Sequence, residues 1–168
     1  MAGAIPPPKT FLDWIQAIIA LKAAWDYSDF AQSWLHGARQ LVASGCTTVA
    51  DIEAVPELLP EVWTATPLRV FSFLELISVR RRQPPATLMR DALHLIRELP
   101  AERCRAALSP HALYSTNPEL LKLARRAAHR ARWPLTMHVA EAREETEMFQ
   151  HARGAMFDWL KKNGRDLG

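Results

Sequence analysis

A chain of 168 residues, 49% of them hydrophobic, is long enough to bury one sizeable core. Its formal charge of +3 and pI of about 9.1 form too mild an excess to argue for a nucleic-acid partner. No apolar run approaches the ~20 residues of a membrane span, and MAGAIPPPKTF lacks the charged opening and apolar stretch of a signal peptide; no membrane and a cytoplasmic location are expected.

The chain opens on prolines that exclude a helix. Thr10 then caps a helix expected from about Phe11 to Ala24, with Phe11, Trp14, Ile15, Ile18 and Ile19 in helical period. Ser28 is the expected cap of a second helix, striped by Phe30, Trp34, Ala38, Leu41 and Val42 and stopped at Gly45. Cys46–Ile52 is β-branched and uncharged until Asp51, which suits a short buried strand. Pro56, Pro60 and Pro67 break the next stretch and exclude a long helix there.

Leu68 to Leu76 is a second, stronger strand. The amphipathic TLMRDALHLIREL helix follows and is closed by Pro100. A third strand covers about Arg105 to His111. Asn117 with Pro118 behind it opens another helix in the favoured order of cap and first turn. Leu135–Val139 is the fourth strand, and the tail is helical to about Asn163 with a break near Gly154.

Strands that alternate with helices predict a parallel sheet, because parallel neighbours need a crossover. Near-continuous apolar strands predict cover on both faces. One domain over residues 1–168 is expected, with no linker or repeat. Cys46 and Cys104 lie far apart in apolar settings and read as reduced core residues rather than a disulfide or a metal pair.

Polar residues recur at the carboxyl ends of the strands: Asp51, Glu75, His111, then His138 with Glu141. In parallel α/β folds this edge binds ligands. The bland readings stand beside that one. A histidine near a strand end is usually a hydrogen-bonded residue, and Glu141 also suits a first-turn acid favoured by the helix dipole. VRRRQPP, with Arg80 to Arg82, reads as a solvated loop. ARRAAHRAR, from Ala124 to Arg132, reads as the outer face of a helix. The six tryptophans read as packing residues.

GCTTVADI, LSPHALYSTNPELL and MHVAEAREETEMF, in this order and spacing, resemble the amidohydrolase superfamily. The similarity is to its cytosine-deaminase-like branch, which includes S-adenosylhomocysteine and guanine deaminases and triazine hydrolases. It runs from Phe11 to Asp166. The resemblance implies an α/β fold of the TIM-like (β/α)8 kind, a Zn or Fe(II) cofactor, a small-molecule substrate, and hydrolysis of a C–N bond by metal-activated water. Residue by residue, it implies His138 as a metal ligand, Glu141 as the catalytic acid that shuttles a proton, and His111 as a substrate contact. It assigns no role to Asp51 or Glu75.

The family's strand-one H-x-H, strand-six histidine and strand-eight aspartate have no counterparts. The expectation is therefore a partial barrel of about four parallel strands, two to five of the family's order, against ~250 residues for a whole barrel. One matched ligand falls short of the three protein ligands of a catalytic zinc. The chain alone is expected to hold no stable metal and to be inactive. It would be completed by a second chain or by self-association through open sheet edges, or belong to a longer hydrolase. The alternative is a non-catalytic α/β scaffold or interaction protein of the same descent.

Overall fold

A computed structural model of the protein describes residues 5–79, 83–100 and 102–165. Arg80–Arg82 and Asp166 lie outside the described residues. The chain divides into two compact units. One is Met1–Ser33 with Ala140–Gly168, and the other is Trp34–Val139.

The second unit holds the sheet. Helix α2 (Tyr27–Ala43) ends in it, and Gly45 supplies the left-handed turn that the stop requires, with φ of +86°. Strand β1 (Thr48–Glu53) follows. A 3-10 turn (Pro56–Leu58) and the short helix α3 (Leu59–Thr64) replace the long helix that the prolines forbid. Then come β2 (Arg69–Leu76), α4 (Pro85–Glu98), β3 (Arg105–Pro110) and α5 (Pro118–Ala131). Asn117 caps α5 as expected: its Oδ1 accepts from the Leu120 N–H at 2.8 Å. Leu120, Ala124 and Ala128 bury one stripe of α5 and leave Arg125, Arg126, His129 and Arg130 exposed, the outer face expected for that basic run.

The sheet order is β1-β2-β3, and both pairings are parallel. The alternation of burial sorts its faces. Val70, Ser72, Leu74 and Leu76 of β2 are buried, whereas Phe71, Phe73 and Glu75 are half-buried. Their register partners Ala50 and Ile52 on β1 are exposed. The expectation of two covered faces therefore fails on the Glu75 side at β1, while Ala107 and Ser109 of β3 on that side are buried. Cys46 is also exposed, while Cys104 is buried, which corrects the core placement of the first cysteine.

The fourth strand is reduced to two parallel bridges, Leu108 to Leu135 and Ala112 to His138. A proline explains the loss. Leu108 turns its carbonyl to this segment and accepts from Thr136 N–H at 3.3 Å, so Pro110, two residues on, would point the same way. Proline has no N–H to offer there. The bridges are four residues apart on one side and three on the other, which is the count of a bulge.

The first unit contains α1 (Phe11–Lys22), the start of α2, α6 (Arg143–His151) and α7 (Ala155–Lys162). Thr10 caps α1, its Oγ1 accepting from Asp13 N–H at 3.0 Å. The cap of α2 is Asp26 rather than Ser28. The Asp26 and Asp29 carboxylates each accept the other's backbone N–H, at 3.0 and 3.1 Å, a reciprocal capping box. Gly154, at φ +99°, makes the expected break between α6 and α7. Trp14 is 41% exposed and stacks on Phe11, so not every tryptophan is a core residue. No described helix is long and apolar enough to cross a membrane.

Candidate metal centre

Three of the singled-out residues converge in the second unit. Glu75 comes from the end of β2, His111 follows β3, and His138 lies on the segment beside it. One ligand atom from each lies within 4.8 Å of the others. The backbone sets this meeting. His111 N–H donates to the Leu76 carbonyl at 3.1 Å, and the His111 carbonyl accepts from His138 N–H at 2.8 Å. Three chain segments are thereby stitched together at one level. The two imidazoles meet edge to face, with ring centroids 5.1 Å apart.

His111 is oriented from behind. The Ser115 hydroxyl reaches the Ala112 carbonyl at 3.2 Å. Its oxygen lies 2.5 Å from His111 Nδ1, and the ring tautomer sets which of the two donates. In the Nδ1–H tautomer the Nε2 lone pair faces Glu75 Oε1 at 3.7 Å. That contact is too long for a hydrogen bond. Burial, and then the charge on His138, push the His111 pKa down to about 4. The carboxylate alone would pull it the other way, so desolvation wins. At neutral pH a neutral imidazole faces a carboxylate, and the contact is no ion pair. Two imidazoles and a carboxylate are donors that zinc accepts, so the residues present fit a divalent metal.

Asp51 does not join them. It pairs in register with Ser72, on the opposite face from Glu75. Its Oδ2 accepts from Trp34 Nε1 at 3.1 Å and from Ser72 Oγ at 3.3 Å, while Trp63 Nε1 donates to Ser72 Oγ at 3.2 Å. The chain of bonds ties α2 and α3 to the sheet. Burial raises the Asp51 pKa against the pull of these two donors. Asp51→Ala should cost about 1–3 kcal/mol by stranding two donors, whereas Asp51→Asn keeps an acceptor and should cost under about 1 kcal/mol. Urea unfolding at pH 7 checks both, and equal losses would refute the bonded role.

Glu141 belongs to the other unit. Its N–H donates to the Glu145 carboxylate at 2.7 Å, and Glu145 is buried. Ala140 just before it holds φ of +55°, a conformation that costs a non-glycine residue energy and clusters at functional sites. Glu75 as a ligand candidate, and Ser115 behind His111, were not assigned from sequence. The serine four places after a strand-end histidine was the available signal.

The model of the Amidohydrolase family matches residues 3–160. The chain belongs to the Amidohydrolase family. Among curated relatives of this amidohydrolase is the 5-methylthioadenosine/S-adenosylhomocysteine deaminase of Thermococcus onnurineus (strain NA1). It is 26% identical over 93% of this chain and 39% of its own length. Among solved structures is the Helicobacter pylori aminofutalosine deaminase in complex with methylthio-coformycin, with a TM-score of 0.77 and 18% identity, over 99% of this chain and 40% of that one. Another is an adenosine deaminase from Xanthomonas campestris with bound zinc, with a TM-score of 0.74 and 17% identity, over 96% of this chain and 38% of that one. The chain thus spans about two fifths of the length of each, at 39%, 40% and 38%. The fold is α/β, with the parallel strands and crossover helices of part of a (β/α)8 barrel.

Proposed function

We propose that this amidohydrolase forms the part of a metal-dependent deaminase that holds the substrate-facing ends of four successive barrel strands. The observation that carries the reading is the convergence of Glu75, His111 and His138 at strand carboxyl ends, the edge where such barrels build their sites. The substrate class follows the relatives: an amino-purine nucleoside or a similar small molecule with an amine on a ring carbon.

In this reading His138 holds a divalent ion, zinc or iron(II). A bound ion of that kind lowers the pKa of water toward ~7 and so makes a nucleophile available at neutral pH. Glu141, the acid of the H-x-A-E run, takes a proton from the attacking water and gives it to the leaving amine. The water oxygen forms the new bond to carbon, the C–N bond breaks, and ammonia carries away the proton. In the completed barrel, where the other strands supply further ligands to the ion, His111 stays neutral and turns its Nε2 lone pair toward the substrate. The half-buried Phe71 and Phe73 and the exposed Ile52 support cover by further barrel strands, on the same chain or on a partner.

The test mixes the full chain with the remaining barrel segments of the Thermococcus relative, under zinc. Ammonia release from 5′-methylthioadenosine and S-adenosylhomocysteine is then followed. Turnover is expected in the mixture and not with the chain alone. A folded, zinc-loaded mixture that releases no ammonia from any amino-purine nucleoside would overturn the reading.

A further inference from the structure

We propose that this chain by itself binds one divalent cation through Glu75, His111 and His138. The choice of cation rests on the metal-dependent reading above. The choice of residues rests on geometry. The family resemblance makes His138 a ligand and His111 a substrate contact, and it leaves Glu75 without a role. The structure brings all three to one point.

The hydrogen bonding at His111 is the independent observation. With Nδ1–H donated to Ser115, Nε2 carries a lone pair aimed at the Glu75 carboxylate. That lone pair and a carboxylate oxygen 3.7 Å apart are two donor atoms that one cation can bridge. A ring N–H anchored to an oxygen behind the ligand is also how metal-bound histidines have their tautomer fixed. The side chains of His111 and Glu75 keep 20% and 14% exposure, enough for an ion to enter and for water to complete its shell.

The spacing fits with a small closure. Donors about 2.0–2.1 Å from a tetrahedral ion lie roughly 3.4 Å from one another. The His111–Glu75 pair, at 3.7 Å, needs a few tenths of an ångström, and no pair exceeds 4.8 Å. Side-chain rotation covers that gap, because His111 and His138 are already held by backbone bonds. The fully buried Ser109 hydroxyl, with no hydrogen-bond partner among the described residues, sits on the register partner of Glu75 and shares its face of the sheet. It is placed to bond the carboxylate or a water beside it.

The experiment is a calorimetric zinc titration of the full chain after chelator treatment and dialysis, with cobalt(II) absorption as a second readout. One equivalent is expected, with a four-coordinate cobalt band. His111→Gln, His138→Gln and Glu75→Gln should each weaken zinc by at least about 100-fold, and Ser115→Ala by about 10-fold through lost orientation. The exposed His94→Gln should change nothing. Circular dichroism identifies any variant that does not fold, and Glu75→Gln, which keeps shape and size, then decides.

Zinc lost with His138→Gln but indifferent to Glu75→Gln and His111→Gln would overturn the three-ligand site. So would zinc bound in several equivalents regardless of all three, or no zinc bound at all. The complemented barrel separates this from the proposed function. Ammonia release without zinc binding by the lone chain sinks only this inference. Zinc binding without any ammonia release sinks only the deaminase reading.

Discussion

Glu141→Gln in the complemented barrel should lower kcat by about 10²–10⁴-fold, the usual worth of a positioned proton-transfer group. The glutamine keeps size and hydrogen bonding but can neither take a proton from water nor give one to the amine. Substrate binding should hold, so KM should change little, and so should zinc content. His138→Gln should behave differently, losing zinc and activity together. A Glu141→Gln variant with unchanged kcat would leave Glu141 as an acid just before the N-cap of α6, with no part in proton transfer. The measurement is a full kcat and KM determination across pH.

What the sequence disclosed divides along a physical line. Thr10, Asn117 with Pro118, Gly45 and Gly154 act within a few residues of themselves, and each appears at the boundary its chemistry implies. Ser28 has the composition of a cap, but two acids nearby form a better one, the Asp26 and Asp29 pair, which leaves Ser28 Oγ to accept from Gln32 at 3.0 Å. Three parallel strands and their crossovers follow from hydrophobic period alone.

The site needed cross-strand information that periodicity does not hold. Asp51 reads as a strand-end residue, yet β1 runs on to Glu53, and parity turns Asp51 toward the helices. Glu75 reads as equally unremarkable, yet register puts it opposite Ser109, two residues before His111. Pro110 was visible throughout. Its effect on the fourth strand depends on which side its missing N–H would face, and only the pairing reveals that. Ligand counting from motifs therefore found one donor where the strands assemble three candidates.

In the metal-free protein, stability should fall by about 1–2 kcal/mol as pH drops from 7 to 5 on account of His111 alone. An unfolded histidine titrates near 6.5, whereas the folded His111 is held to about 4, first by burial and then by His138. Between those values the unfolded chain takes up a proton that the folded chain refuses, so acid favours unfolding. Above about 6.5 the contribution is constant, and below about 4 the full penalty is present. Partial exposure of the ring trims the effect toward the lower figure. His111→Asn keeps a donor toward Ser115 and removes the titration, so its stability should be flatter from pH 7 to 5. Urea midpoints at the two pH values, in chelator, with and without the substitution, measure the difference. Parallel losses in both proteins would mean that His111 is not held neutral.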